Sequence, residues 1–126
     1  MTDEEISLVK LISKAEDATE PSRDLDAEIA LVLGWTFMKM KGDKYPYFRK
    51  PGVTNYRVRS ELPLFTKSID AALTLLPKGH WWAIVMRGNE DGFDASVIPP
   101  DTEMTWHRGA NAALAISIAA LKARFV

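Results

Sequence analysis

The sequence contains no cysteine, which excludes disulfides, thiolate nucleophiles and cysteine-ligated zinc or iron–sulfur sites. It also has no surplus of one charge: the formal net charge is −1, so the whole molecule has no bulk attraction for nucleic acid or an acidic membrane. Long apolar runs are absent as well, since the longest, residues 112–121, is about half the roughly 20 residues that cross a bilayer. We therefore expect no membrane anchor. The acidic start, MTDEEISLVK, does not resemble an export signal, and with the lack of cysteine it predicts a cytoplasmic protein.

What the sequence does have is an ordinary globular composition. Its 126 residues are 47% hydrophobic and 26% charged, which suits one hydrophobic core and argues against disorder. No internal repeat or low-complexity tract is present. The sequence therefore predicts a single domain over residues 1–126.

Helical signals begin at the first residues. Thr2 and Glu5 have the spacing of a capping box, and apolar residues at helical intervals then predict a helix over about 3–17. Ser22 is the expected N-cap of a second helix, which Gly34 ends.

Three carboxylates crowd the start of this second helix. Asp24 and Asp26 lie in its first turn, where the helix dipole favours negative charge without any ligand. Asp24 and Glu28 stand at i, i+4, where like charges repel, so a cation or an arginine between them is the alternative. Because a hard cation needs more oxygen ligands than this pair offers, we favour a capped helix and predict no metal site.

Two more helices are expected later in the chain. In the segment 64–79, Thr66 is the expected cap and Pro77 the end. The alanine-rich segment 110–124 is apolar around most of its circumference, which is typical of a helix in a crowded interior or against a partner.

Strand signals fill most of the remaining chain. Residues 35–41 alternate in the manner of a strand, and the long punctuated loop after them has a possible short strand near residues 55–59. Residues 80–87 form an apolar strand whose Trp81 and Trp82 must point to opposite sides, so we expect this strand to be covered above and below.

A hairpin is expected to follow. The segment 88–94, GNEDGFD, superficially resembles an acidic calcium loop, but it lacks the ligand spacing and the bidentate glutamate, so we favour a plain turn. The return strand then has Phe93, Ala95 and Val97 inward, Asp94 and Ser96 outward, and lies near the sheet edge.

Together these elements predict an α+β fold in the order α-α-β-(β)-α-β-β-α. We expect an α/β/α sandwich in which helices cover both faces of a small antiparallel sheet.

Three blocks carry a family resemblance. PSRDLDAEIALVLGWT at 21–36, LPLFTKSIDAALTLLPKG at 62–79 with WWA behind it, and HRGANAALAISIAALKAR at 107–124 together resemble the phage ABA sandwich domain family. The resemblance implies α/β/α layering and a phage or prophage origin, but no activity and no catalytic residue. The chain departs from the family pattern at 39–59, which is longer and more basic, and at GANAALAI before the last helix.

The basic and aromatic segment at 39–59 is the strongest functional signal. It has seven bases and one acid, whereas residues 3–28 have nine acids and three bases. Bases that neutralise phosphates beside aromatic rings that stack on bases are typical of single-stranded nucleic-acid binders, and the rings that could stack here are Tyr45, Tyr47, Phe48 and Tyr56. The alternative is a solvated loop whose bases pair with the acidic helices and whose rings anchor it to the core. The candidate nucleic-acid-binding residues are Lys39, Lys41, Lys44, Tyr45, Tyr47, Arg49, Lys50, Tyr56, Arg57 and Arg59.

The two histidines carry little catalytic signal. No sequence motif supplies a nucleophile or an orienting carboxylate for either, although His107 has Asp101 and Glu103 close before it. We therefore predict no catalytic residue, no cofactor and no enzyme. The expected function is a phage-type accessory domain that binds an unknown protein or itself, with nucleic-acid binding through 39–59 as the alternative and His107-based catalysis as a third class.

Overall fold

The computed structural model describes residues 3–42, 44, 46–86, 92–98 and 105–125. It contains four helices and two three-stranded antiparallel sheets, an α+β architecture consistent with a small α/β sandwich, so the predicted class is confirmed. The helices are α1 (Asp3–Asp17), α2 (Arg23–Val32), α3 (Ile69–Leu73) and α4 (Ala112–Phe125), with a 3₁₀ turn at Arg59–Glu61. The strands are β1 (Thr36–Met38), β2 (Tyr47–Arg49), β3 (Arg57–Val58), β4 (Trp81–Met86), β5 (Phe93–Ile98) and β6 (His107–Gly109).

The caps of α2 lie where the sequence predicts them. Ser22 is the N-cap, and its hydroxyl accepts a hydrogen bond of 3.2 Å from the backbone N–H of Leu25. Gly34 follows the helix with φ +97°, a left-handed conformation that glycine adopts without strain. The capping box of α1 includes Thr2, which lies outside the described residues.

The predicted cap of α3 is wrong. Ser68 is the N-cap, and its hydroxyl accepts a 3.3 Å hydrogen bond from the N–H of Ala71. Thr66 is instead fully buried and hydrogen-bonded to α2. The helix is consequently a short one, because the residues before Ser68 are held in a turn.

The first sheet has the order β1-β2-β3. The sequence predicts strand β1 and the short strand near 55–59, whereas it predicts a loop where β2 lies. Its three residues lie between Pro46 and Pro51, which masked the strand pattern in the sequence. Phe48 of β2 is buried and contacts Phe37 of β1 edge to face, with 5.8 Å between ring centroids.

The second sheet has the order β4-β5-β6. The predicted antiparallel pairing of β4 with β5 is confirmed, while most of the turn between them lies outside the described residues. Strand β5 is central and not near the edge, because β6 pairs with its other side. Ser96 is fully buried, so the expectation that it faces outward is wrong.

Helix α4 forms the centre of the molecule. It packs on β5 and β6 on one side and on α3 and α1 on the other, which confirms that it lies in a crowded interior. Every residue from Ala113 to Leu121 is buried. Strand β6 approaches it so closely that a Cβ at Gly109 would lie 2.3 Å from the backbone nitrogen of Ala115. Within the described part of the chain, no helix has the length and apolar character needed to span a membrane.

Strand β4 is exposed, which contradicts the expectation that it is covered above and below. Trp81 and Trp82 are 72% and 45% exposed. The reason is topological: β4 lies at the edge of the sheet, whereas α4 is centred on β5 and β6.

Candidate interaction surfaces

Strand β4 presents four large apolar side chains to solvent. These side chains are between 45% and 72% exposed. We call them the β4 surface, which consists of Trp81, Trp82, Val85 and Met86. Trp106, which precedes β6, is a further tryptophan with 42% exposure. A cluster of exposed tryptophan and methionine is unusual on a solvent-exposed protein surface and is typical of binding sites.

The β4 surface includes both faces of the strand. Trp82 pairs with Val97 and Met86 with Phe93, so these two side chains lie on the face that packs on α4. Trp81 and Val85 alternate onto the opposite face. The apolar groups therefore surround the strand edge and do not form one flat patch.

The outer edge of β4 presents backbone hydrogen-bonding groups. Among the described residues β4 pairs with β5 alone, so one side of its N–H and C=O groups faces away from the sheet. The strand sequence WWAIVM contains no charge and no proline, two of the devices by which natural edges prevent pairing. This edge is therefore chemically suited to accept another strand.

The predicted basic segment forms the first sheet and the turns around it. Tyr47 and Arg49 alternate onto one face of β2, opposite Phe48. The Arg49 guanidinium lies 5.2 Å from the centroid of the Tyr56 ring, a cation–π contact. Phe48 is 2% exposed, so the interpretation that it offers a stacking face is wrong.

The other predicted residues of this segment are arranged less uniformly. Arg59 binds Asp24 of α2 at 2.7 Å, as the alternative interpretation expected for these bases. Tyr45 lies outside the described residues. The remaining bases are all exposed: Lys39, Lys41, Lys44, Lys50 and Arg57. The structure thus brings Tyr47, Arg49 and Tyr56 together and separates Arg59 from them.

A cleft of about 530 Å³ lies between α2 and the first sheet. Its apolar lining includes Phe37, Phe48 and Leu31, and charged pairs lie around it. Glu28 binds Lys14 at 2.9 Å, while Asp24 binds Arg59. Each carboxylate of the i, i+4 pair thus has its own base, so the acidic helix start is explained without a metal ion.

The third acid of this helix has a structural role that its sequence position did not reveal. Asp26 is 1% exposed and binds the Arg23 guanidinium at 2.7 Å. Its other oxygen accepts hydrogen bonds from the backbone N–H of Thr66 at 2.8 Å and from the Thr66 hydroxyl at 3.0 Å. Asp26 therefore connects α2 to the chain before α3, 40 residues away.

The two histidines have different neighbours. Nδ1 of His80 lies 3.4 Å from the carbonyl oxygen of Lys78, while Nδ1 of His107 lies 3.4 Å from Nζ of Lys122. Burial and then Lys122 lower the pKa of His107, against a smaller opposing effect of Glu16. Asp101 and Glu103, the predicted partners of His107, lie outside the described residues. Within the described ranges, no group of three or more side chains could hold a metal ion.

We compared the chain with protein-family models, with characterised proteins and with solved structures. No match was found in any of the three comparisons. The resemblance to the phage ABA sandwich domain family therefore stays a prediction.

Proposed function

We propose that this chain is a non-catalytic interaction domain that binds a protein partner through the β4 surface. The observation that carries the proposal is the exposure of Trp81, Trp82 and Met86 around a strand edge that has no partner strand among the described residues. The phage or prophage origin and the cytoplasmic location remain parts of the same proposal, and they rest on the sequence.

The energetics favour association at this surface. Tryptophan is enriched among the residues that dominate binding energy, because a large rigid ring buries much area at a small cost in entropy. Burying one exposed tryptophan removes roughly 100–200 Å² from water, worth about 2.5–5 kcal/mol at 25 cal/mol per Å² before the entropic cost of association. Two such residues on one strand can therefore dominate an interface.

The partner chemistry follows from the shape of the surface. An extended apolar segment can hydrogen-bond to the free edge of β4 and place successive side chains on Trp81 and Trp82, which lie on opposite faces. This is β-strand addition, in which backbone bonds provide affinity and alternate side chains provide specificity.

A displayed library of random linear peptides tests the proposal. Selection on the immobilised protein should enrich peptides with alternating apolar residues, and these should not bind the double variant Trp81→Ser, Met86→Lys. The matched control is Val9→Lys, which adds a charge at an exposed apolar position of α1 and should bind the peptides normally. If the β4 variant binds the enriched peptides equally well, or if no peptide is enriched on a protein that is monomeric, the proposal is wrong.

Nucleic-acid binding is the second candidate, favoured by the group of Tyr47, Arg49 and Tyr56. The Arg49 guanidinium already lies against an aromatic ring, so a base and its phosphate would meet a ring and a cation side by side. The exposed Lys50 and Arg57 are close to this group in sequence and would add phosphate contacts.

Labelled single- and double-stranded oligonucleotides at low and high salt test this candidate. Binding that weakens with salt, and weakens further in Arg49→Ala and Tyr56→Ala, would support it. Arg59→Ala is the matched control, because Asp24 already neutralises Arg59 and its loss should matter less. No binding at low salt would eliminate this function.

A further inference from the structure

We infer that the partner of the β4 surface is a second copy of this chain, paired antiparallel along the free edge of β4. The inference rests on the proposed function and adds the identity of the partner. The product is a continuous six-stranded sheet with a two-fold axis normal to it.

The β4 sequence is complementary to itself under this symmetry. A two-fold axis normal to the sheet keeps each face on its own side, so odd-numbered residues meet odd ones and even-numbered residues meet even ones. If the axis passes through Ile84, Trp82 of one copy lies opposite Met86 of the other. If it passes through Ala83, Trp81 lies opposite Val85 instead. Both registers place tryptophan against an aliphatic or thioether side chain and bring no charged residue of the strand into the interface.

The exposed area of the β4 surface sets an upper limit on the apolar area that pairing can bury. From the exposed fractions of the four side chains, this surface presents on the order of 500 Å² per copy, or about 1,000 Å² for the pair. Because each side chain becomes only partly buried, the apolar contact alone is that of a weak dimer, and the new backbone hydrogen bonds between the two edges add to it.

The two faces of the joined sheet would differ. Trp82 and Met86 lie on the face that α4 covers, so in the dimer they meet beside the two α4 helices. Trp81 and Val85 lie on the other face, where the two copies form one apolar strip. Both sets of exposed side chains become partly buried by a single contact.

Light scattering after size exclusion, over a series of protein concentrations, is the first test. The wild type should approach twice the 14.1 kDa mass of one chain as the concentration rises. Met86→Lys and Val85→Lys should each weaken dimerisation by about tenfold or more, because they place a charge at the joined edge. Val9→Lys is the matched control and should dimerise like the wild type. A mass of one chain at every concentration overturns the inference.

Cysteine cross-linking tests the contact directly, since the chain has no cysteine of its own. Under mild oxidation, Ile84→Cys should cross-link if the axis passes through residue 84, and Ala83→Cys if it passes through residue 83. Lys67→Cys, exposed before α3, is the control and should remain uncross-linked. A dimer in which neither β4 variant cross-links and Met86→Lys has no effect would show that another surface is used.

The two proposals fail in different ways. Peptide enrichment on a protein that remains monomeric would show that β4 binds another protein, which leaves the proposed function and overturns self-pairing. If the protein is monomeric and enriches no peptide, both are wrong.

Discussion

Replacing Asp26 with alanine should strongly destabilise the protein. The Asp26 carboxylate is almost completely buried, binds Arg23 at 2.7 Å and accepts two hydrogen bonds from Thr66. Removing one partner of a buried ion pair costs about 3–5 kcal/mol, because the remaining charge and donors lose their compensation. That is a large fraction of the 5–15 kcal/mol by which domains are typically stable, so we expect a variant near the limit of folding.

Urea unfolding followed by far-ultraviolet circular dichroism measures this effect. With a urea m-value of about 2 kcal/mol per M, the midpoint should fall by about 2 M. Asp26→Asn keeps an oxygen that can accept from Thr66 but loses the charge facing Arg23, so its loss should be smaller, about 1–3 kcal/mol. All variants are compared at one protein concentration, because dimerisation would itself add stability.

Asp24→Ala is the matched control on the same helix. The Asp24 side chain is 78% exposed and pairs with Arg59 in solvent, so its removal should cost no more than about 1 kcal/mol. If Asp26→Ala lies within 1 kcal/mol of the wild type, or if Asp24→Ala costs as much, buried pairing is not what holds α2 to the chain before α3.

Three further predictions follow from packing and burial. Gly109→Ala should cost about 3 kcal/mol or more in urea unfolding, because the added Cβ would overlap the backbone of Ala115, 2.3 Å away. Ser96→Ala should leave the free energy of unfolding almost unchanged, since its buried hydroxyl has no partner in the described structure. Ser117→Ala should lower that free energy by about 1 kcal/mol, because it removes a 2.9 Å hydrogen bond to a backbone carbonyl. Burial and a nearby lysine lower the pKa of His107, so the unfolded chain binds the proton more readily than the folded chain does. The free energy of unfolding should therefore fall as the pH drops from 6.5, the ordinary histidine pKa, towards the lowered pKa of the folded state.

Two of these predictions have their own controls. Gly42→Ala has open space around its Cβ and should cost only the left-handed backbone strain, about 1–2 kcal/mol. An equal loss in the two glycine variants would contradict the overlap at position 109. His107→Gln should remove part of the fall in stability below pH 6.5, measured by urea midpoints at several pH values. An unchanged pH profile would show that other groups cause the fall.

The helices were the most predictable part of the fold. The apolar spacing in α1, the Ser22 cap and Gly34 in α2, and the alanine-rich α4 are local signals, because a helix makes its hydrogen bonds within four residues along the chain. The third helix was less predictable. Both Thr66 and Ser68 are reasonable caps, and only the contact of Thr66 with Asp26 decides between them.

The candidate surfaces were predictable only in part. Basic and aromatic residues at 39–59 were visible in the sequence, but β2 was not, and its alternation turns Phe48 into the core while Tyr47 and Arg49 share the other face. The apolar strand at 80–87 was predicted, but its apolar residues suggested burial. Exposure of such a strand is what makes it a candidate interface, and no sequence pattern distinguishes the two cases.

The sequence by itself determined the single α+β domain, the positions of three helices and the pairing of β4 with β5, because these depend on spacing, caps and turns between near neighbours. The tertiary structure decided that Asp26 is buried and Asp24 exposed, and that β5 is central while β4 is the edge. Those outcomes depend on contacts between residues far apart in the chain: Asp26 meets Thr66, and β6 pairs with β5 from beyond the hairpin. Local chemistry selects the elements, and only their packing selects which side of each one faces water.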